Sequence, residues 1–175
     1  MNSVLQRLAP LMKKRSPVKL RAPRAGDMGR VVQLHGELYA KEFGYDRTFE
    51  ALVAEIAAGF VRDFKPKYER CWIAEMDGEV VGSVFLVRKS AQVSKLRLLV
   101  IHPKARGMGL GKRLTRACIR FARKAGYRKI VLWTQSHLAA ARAIYRTENF
   151  VMKSSEKHHS FGKRLVAETW ELTLD

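Results

Sequence analysis

The chain has 175 residues, 47% of them hydrophobic, which fits one folded domain and excludes an intrinsically disordered protein. No apolar run approaches the roughly 20 residues that cross a bilayer, so we expect no membrane-spanning segment. The 34 Lys and Arg residues against 16 Asp and Glu residues give a formal net charge of +18, which favours anionic partners without choosing among a nucleic acid, an acidic protein and a generally basic surface.

The first 17 residues contain no acidic residue, and they place Leu5, Leu8 and Leu11 at helical spacing among basic residues. Such a segment can be a transit peptide, a membrane-surface helix or the end of a preceding domain. We interpret residues 1–17 as a basic N-terminal extension or linker, and we assign residues 18–175 to a single domain.

The domain is predicted to begin with one strand and two helices. The strand lies at residues 18–22, and Asp27 can cap the first helix. The apolar stripe of this helix includes His35, a pattern more typical of a hydrogen-bonded core histidine than of a catalytic one. Gly44 ends the helix, and a second amphipathic helix is predicted at residues 49–64 because apolar residues recur there every three or four positions.

Three strands follow. The patterns at residues 70–76 and 80–87 flank Asp77-Gly78, a dipeptide typical of tight hairpins. The third strand is an apolar run at residues 96–101. Pro103 ends it, because proline has no amide proton to donate to a sheet.

Arg106 and three alternating glycines, Gly107, Gly109 and Gly111, come directly after the third of these strands and lead into a helical pattern. Glycine lets the backbone turn sharply and approach a ligand closely. The free amide protons at a helix start, together with the positive end of the helix dipole, favour a phosphate group. The sequence therefore predicts a diphosphate-binding turn at residues 106–112, which we call the glycine turn.

The positions of its glycines and basic residues distinguish the glycine turn from two other phosphate-binding motifs. The P-loop requires a glycine where Arg106 stands and a hydroxyl residue where Arg113 stands, and the dinucleotide fingerprint requires a glycine where Lys112 stands. The pattern that remains is [QR]-x-x-G-x-[GA], which the residues from Arg106 to Gly111 match.

The second half of the domain alternates helices and strands. A helix starts at Leu110 and ends at Gly126. The remaining predicted elements are a strand at 129–134, a helix at 138–147 and two strands at 150–154 and 165–174, joined across residues 158–163. The order β-α-α-β-β-β-α-β-α-β-β predicts an α/β (α+β) domain with one mixed sheet and helices on both faces.

The glycine turn after an apolar strand, with Tyr145 and Phe150 further along the chain, resembles the GNAT superfamily of acetyl-coenzyme A-dependent N-acetyltransferases. The resemblance implies a GNAT-like fold, with a central mixed, mostly antiparallel twisted sheet of six to seven strands and about four flanking helices. Residues 39–45 and 158–162 are also similar, more loosely, to acetyltransferase domains fused to MarR-type regulators.

The resemblance implies acetyl-coenzyme A as the acetyl donor. In the family, backbone groups at a bulge in the strand before the glycine turn hold pantetheine, and the turn itself holds the diphosphate. The cofactor-binding residues so implied are Leu99, Val100, Ile101, Arg106, Gly107, Met108, Gly109, Leu110, Gly111 and Lys112.

Tyr145 matches the family tyrosine that protonates the departing thiolate or orients the sulfur, which makes it the predicted general acid. Asn149 stands where the family has a glycine, and asparagine tolerates the left-handed backbone angles of that position. The strands that carry a glutamate base in many relatives have no carboxylate here. The candidate bases are Glu42, Glu75 and His159, and Gln135 is the amide nearest to the position of a family asparagine.

Acceptor binding is expected from the end of the first helix and from the last hairpin, with Tyr39, Glu42, Tyr45 and His159 as candidate residues. His158 and His159 are adjacent and would point to opposite faces of a strand, and no third ligand has zinc-like spacing. We therefore predict no metal site.

Cys71 and Cys118 lie in separate apolar patterns, with no spacing typical of a disulfide or a metal site. These positions of the two cysteines favour buried free thiols and a protein of the reducing cytoplasm.

The sequence therefore predicts a cytoplasmic N-acetyltransferase that moves acetyl from acetyl-coenzyme A to a primary amine. Direct attack is expected, because no candidate nucleophile has an adjacent base. Two alternatives stay open: a basic nucleic-acid- or ribosome-associated binding module, and a domain that senses coenzyme A without catalysis. The identity of the amine, a polyanion contact and a homodimer also stay open.

Overall fold

The structure, a computed structural model, describes residues 16–174. The predicted N-terminal extension lies almost wholly outside these residues. Within them, no helix combines the length and the apolar character needed to cross a membrane. The helices are α1 (Asp27–Phe43), α2 (Arg47–Arg62), α3 (Leu110–Lys124) and α4 (Ala139–Thr147). The strands are β1 (Lys19–Arg21), β2 (Arg70–Met76), β3 (Glu79–Arg88), β4 (Val93–Ile101), β5 (Lys129–Gln135), β6 (Val151–Ser160) and β7 (Lys163–Thr173).

The strands form one seven-stranded sheet in the order β1-β2-β3-β4-β5-β7-β6. Neighbouring strands are antiparallel except β4 and β5, which are parallel. The predicted mixed, mostly antiparallel sheet is thus confirmed. The β4–β5 register runs from Val93↔Lys129 to Leu96↔Leu132, although β4 continues to Ile101 and β5 to Gln135. The two strands therefore part towards their carboxyl ends and leave a gap in the sheet, which we call the β4–β5 gap.

The helices cover both faces of the sheet, as predicted. On one face, Val31 of α1 and Phe60 of α2 pack against Ile73 and Phe85. On the other face, α3 and α4 bury the larger core cluster; its fully buried members include Leu114, Cys118, Val84, Leu86, Ile130 and Leu132.

The start of α1 differs from the sequence prediction. Asp27 was expected to cap the helix, but the cap position belongs to Gly26, which has a left-handed backbone (φ 92°). The Asp27 carboxylate instead accepts hydrogen bonds from the Arg24 backbone N–H at 2.6 Å and from Arg21 Nη1 at 2.6 Å. The side chain therefore ties the β1–α1 connection together, and its hydrogen bond with Arg21 lowers the pKa of Asp27.

The last hairpin is longer than predicted. β6 runs to Ser160, so His158 and His159 lie on a strand and not in the connection. The turn consists of Phe161 and Gly162, with φ values of 56° and 73°, as a two-residue hairpin turn requires. The prediction missed most of β6 because this edge strand is exposed or half-buried throughout, so it shows no alternation of apolar and polar residues.

Candidate active site

β4 contains a bulge shortly before the glycine turn. Ser83 pairs with Val100 and Phe85 pairs with Arg97, so Val84 of β3 faces two residues of β4. Leu98, one of those two, has a left-handed backbone (φ 49°), and its carbonyl accepts a hydrogen bond from Ser83 Oγ at 2.9 Å. The bulge redirects the backbone beside the β4–β5 gap, where residues 99–101 are expected to bind pantetheine.

The glycine turn has the geometry of an anion site. Gly107 and Gly109 have φ values of 74° and 70°, which L side chains rarely adopt. Gly109 caps α3 without a side-chain hydrogen bond, and the first turn of α3 carries no acidic residue. A Cβ atom at Gly109 would meet nothing within 4 Å. The helix N-terminus therefore combines amides that have no side-chain cap with open space beside them.

Gly111 has a different role from the two glycines before it. A Cβ atom at this position would lie 2.5 Å from Ile144 Cδ1 and 3.0 Å from Ile101 Cδ1. The absence of a side chain at Gly111 therefore lets α3 pack closely against α4 and the end of β4. The alternating glycines look equivalent in the sequence, but the first two shape the turn and the third permits helix packing.

Arg106 connects the glycine turn to α1. Its Nη2 donates a hydrogen bond to Glu42 Oε1 at 2.7 Å, and its Nε lies 3.4 Å from the carbonyl oxygen of Ile101. This ion pair holds the carboxylate of Glu42, one of the candidate bases, against a cation. At the other end of the turn, Lys112 Nζ lies 3.8 Å from Glu148 Oε1.

A pocket with a volume of about 150 Å³ lies at the β4–β5 gap. Its wall combines α2, one face of α1, both parting strands, α4 and the last hairpin. The lining residues are His35, Tyr39, Tyr45, Phe49, Leu52, Val53, Ile56, Lys95, Leu96, Arg97, Leu98, Leu99, Trp133, Thr134, Gln135, Leu138, Ala141, Tyr145 and Phe161. Most of these side chains are apolar or aromatic, and none of these described residues is an aspartate or a glutamate.

Tyr145, the predicted general acid, lines this pocket from α4 and is 5% exposed. Its ring centroid lies 5.7 Å from that of Phe150 and 6.3 Å from that of Trp170. Asn149 has the left-handed backbone expected of it (φ 64°), which turns the chain from α4 into β6. Burial raises the pKa of Tyr145, so the phenol keeps its proton at neutral pH.

Two buried side chains that line the pocket have an atom without a hydrogen-bond partner among the described residues, His35 Nε2 and Gln135 Nε2. His35 Nδ1 donates to the Val31 carbonyl at 2.8 Å, which leaves Nε2 as an acceptor. Burial lowers the pKa of His35 to about 4, so the ring is neutral. The Gln135 Oε1 lies 3.0 Å from His158 Nε2, which leaves the Gln135 amide N–H groups as donors.

Lys95 and Arg97 bring two cations to the pocket wall. Both side chains are half-buried, and burial lowers the pKa of Lys95 and the pKa of Arg97. No ion pair joins either of them to an acid in the described part of the chain. Neither cation was expected at the site from sequence.

The other predicted residues divide between the pocket and the surface. Tyr39 and Tyr45 line the pocket, and the Tyr45 ring stacks on Phe161 at 5.1 Å. Glu75 lies on β2 and binds Arg21 at 2.5 Å, and His159 is exposed on β6; neither lines the pocket. Leu99 reaches the pocket, and Val100 packs with residues of α1.

Potential metal ligands do not gather at this site. Nowhere in residues 16–174 do three or more His, Cys, Asp or Glu side chains form a group that could hold a metal ion. The two cysteines are buried and free, as the sequence pattern predicts.

Solved structures with low sequence identity share the fold. The yncA protein of Salmonella typhimurium, solved with its cofactor acetyl-CoA, superposes with a TM-score of 0.74 at 18% identity over 90% of this chain and 94% of that one. An N-acetyltransferase from Staphylococcus aureus Mu50 gives a TM-score of 0.76 at 17% identity over 91% of this chain and 100% of its own.

Sequence relatives match parts of the chain. N-acetyltransferase family 8 member 2 of Rattus norvegicus is 34% identical over 103 residues, which are 54% of this chain and 44% of the relative. N-acetylaspartate synthetase of Danio rerio is 32% identical over 123 residues, 70% of this chain and 38% of the relative. The chain thus spans about half or less of the length of these curated relatives.

The family model described as the acetyltransferase (GNAT) family matches residues 34–150. This range contains the second half of α1, all of α2 to α4, the β4 bulge, the glycine turn and Tyr145. The match covers more than half of the 175 residues. The chain therefore belongs to the acetyltransferase (GNAT) family.

Proposed function

We propose that this protein is an N-acetyltransferase that transfers acetyl from acetyl-coenzyme A to a primary amine by direct attack. The observation that carries the proposal is the arrangement of three features near the carboxyl end of β4: the α3 N-terminus without a side-chain cap, the β4 bulge and the β4–β5 gap. The names of the sequence relatives, which specify N-acetyl transfer, support it. So does the acetyl-CoA of the Salmonella typhimurium structure with the same fold.

The residues present fit this donor. The diphosphate would lie at the glycine turn, where the open space at Gly109 gives it access to the first amides of α3 and where Lys112 adds positive charge. The pantetheine arm would pair with the main chain of residues 99–101 beside the bulge. Bound acetyl-coenzyme A supplies the thioester whose acetyl group is transferred.

Tyr145 would give its proton to the thiolate that leaves when the new amide bond forms. A general acid must hold its proton at the working pH, and the raised pKa of Tyr145 meets this condition. The hydroxyl would regain a proton from solvent after the product leaves.

The attacking amine must be unprotonated, and the described pocket lining offers no carboxylate to accept its proton. We propose that a water molecule at the opening of the pocket accepts the proton of the amine. The Tyr45 hydroxyl, which belongs to the pocket lining, lies 3.3 Å from Nε2 of the exposed His137. Among the candidate bases, Glu42 is held by Arg106, and Glu75 is held by Arg21.

The test is the release of free thiol from acetyl-coenzyme A, measured with a panel of amines, amino acids and peptides. We expect thiol release that depends on the acceptor, together with a mass increase of one acetyl group on the acceptor. Calorimetry with acetyl-coenzyme A provides the matching binding measurement. The proposal fails if no acceptor supports release, and a protein that binds the coenzyme without any turnover would instead fit a sensing role.

A further inference from the structure

We infer that the amine acceptor carries a carboxylate on an apolar body, and that Lys95, Arg97 and the Gln135 side-chain amide hold this carboxylate. The inference rests on the proposed function, since it names the class of acceptor for that reaction.

The three donors lie on the same face of the sheet, around the β4–β5 gap. Lys95 pairs with Val131 in the parallel register, and Gln135 lies four residues after Val131 on β5. Because side chains alternate along a strand, Lys95, Arg97 and Gln135 all point to the face covered by α1 and α2. Phe85, the partner of Arg97, packs in the core of that face.

The two cations are unusual because they are half-buried and form no ion pair with an acid of residues 16–174. The charges that act on Lys95 are those of Arg97 and Lys89, so they add repulsion to the cost of burial. Other basic residues near the sheet have partners: Lys129 binds Glu171 at 2.9 Å, and Arg142 binds Glu168 at 2.9 Å. A bound anion would offset the cost of keeping Lys95 and Arg97 together.

The coenzyme phosphates are a poor match for these cations. The glycine turn begins beyond Ile101, which lies four positions after Arg97 along the strand, roughly 13 Å at the usual rise per residue. The diphosphate also has its own donors at the α3 N-terminus. The anion at Lys95 and Arg97 therefore belongs to the other substrate.

The rest of the pocket fits the remainder of such an acceptor. Phe49, Leu52 and Ile56 of α2 form an apolar wall. The free acceptor atom, His35 Nε2, suits an amine N–H, and the unpartnered Gln135 amide suits a carboxylate oxygen. An amine, a carboxylate and an apolar side chain together describe an amino acid with a large apolar side chain.

The first experiment compares three acceptors that differ in one group: phenylalanine, phenylalaninamide and phenethylamine. Thiol release from acetyl-coenzyme A is measured for each at a pH corrected for the acceptor's amine pKa. A charge-assisted hydrogen bond in a desolvated site justifies a preference of about 10- to 100-fold in kcat/KM for phenylalanine. Equal kcat/KM values for the three acceptors would overturn the inference and leave the proposed function intact.

The second experiment tests the residues. Arg97→Met and Lys95→Met should raise the KM for phenylalanine about tenfold or more, with little change for phenethylamine, and so remove most of the preference. Lys124→Met is the matched control, because it removes the same charge from an exposed position in the last turn of α3. Retention of the full preference in both pocket variants would overturn the inference.

A stability measurement separates binding from folding. Removing an unpaired half-buried charge should leave the thermal midpoint of Arg97→Met at or above that of the parent protein. If no acceptor supports thiol release, the proposed function fails, and calorimetry with N-acetylphenylalanine then decides the carboxylate site. Binding that Arg97→Met weakens supports the site, and an absence of binding or of any difference overturns it.

Discussion

Burial sets the protonation state of two pocket side chains in opposite ways. Tyr145 keeps its proton because burial raises the pKa of its phenol, and His35 stays unprotonated because burial lowers the pKa of its imidazole to about 4. Both residues line the pocket at the β4–β5 gap. The pocket therefore offers a proton donor and a hydrogen-bond acceptor, and neither carries a charge at neutral pH.

The first prediction concerns Tyr145→Phe. The change removes only the hydroxyl, so kcat should fall by about 100- to 10,000-fold, the usual contribution of general acid catalysis, while calorimetric binding of acetyl-coenzyme A is kept. Tyr127→Phe is the control, because it removes a hydroxyl that donates to the Tyr68 carbonyl at 2.9 Å outside the pocket. Full turnover in Tyr145→Phe would remove this residue from the mechanism.

The second prediction concerns the pH dependence of stability. Below pH 6.5 the unfolded chain binds a proton at His35 that the native state, with its pKa of about 4, does not take. Stability from this residue is therefore complete above pH 6.5 and falls by up to about 3 kcal/mol as the pH drops to 4. Denaturant unfolding at several pH values should show a flatter profile for His35→Leu; an unchanged slope would contradict the assignment.

The sequence predicts pocket residues that belong to local patterns, and it misses those whose position depends on contacts between distant elements. Tyr145 was predicted because its position five residues before Phe150 resembles a short family pattern, and it lines the pocket. Lys95 and Arg97 were missed because their place in the pocket wall depends on which face of β4 meets α2, and this follows from the pairing of distant strands. His35 was correctly expected in the core, but its free Nε2 follows from contacts with other elements.

At the scale of elements, the glycine turn between β4 and α3 contains both left-handed backbone angles and a close contact between helices. Gly107 and Gly109 hold left-handed angles beside open space, whereas Gly111 meets Ile144 and Ile101 directly. The proposed diphosphate site and a helix contact therefore involve residues only two positions apart.

The third prediction separates these roles. Gly109→Ala should cost about 1–2 kcal/mol of stability through its backbone angle and should weaken the binding of acetyl-coenzyme A. Gly111→Ala should cost about 1–3 kcal/mol through overpacking. Ile144→Val, which removes the Cδ1 atom in closest contact, should recover part of that loss in the double variant. Chemical denaturation and calorimetry measure both effects, and additive losses in the double variant would contradict the packing role.

The helices and strands were predicted best where apolar and polar residues alternate clearly along the chain. β2 was predicted to the residue at Arg70–Met76, and the hairpin at Asp77-Gly78 was confirmed, with Asp77 at φ 53°. The helix before β2 was predicted too long, because α2 ends at Arg62 while its apolar stripe continues to the exposed Phe64. Whether an apolar stripe stays helical depends on what it packs against, and the periodicity alone does not contain that information.

At the scale of the whole molecule, the β4–β5 gap joins two regions that the sheet otherwise separates. The glycine turn leads into α3 on one face, and the Lys95 and Arg97 side chains lie on the face covered by α1 and α2. The formal charge of +18 places both regions in a field that attracts anions. The polyanion contact and the homodimer stay predictions that this geometry does not address.

The fourth prediction is kinetic. Because the proposed regions for the acetyl donor and for the acceptor are separate, initial rates measured over a grid of both concentrations should give intersecting double-reciprocal lines. Parallel lines would indicate that an acetylated protein forms between two half-reactions, and would contradict direct attack.

The separation of β4 from β5 also affects the order in which the acetyl donor and the amine can bind. Because the gap is open to both faces of the sheet, each substrate can enter from a different face. The ternary complex can therefore form whichever substrate binds first. Product inhibition should reflect this geometry: free coenzyme A should compete with acetyl-coenzyme A and not with the amine.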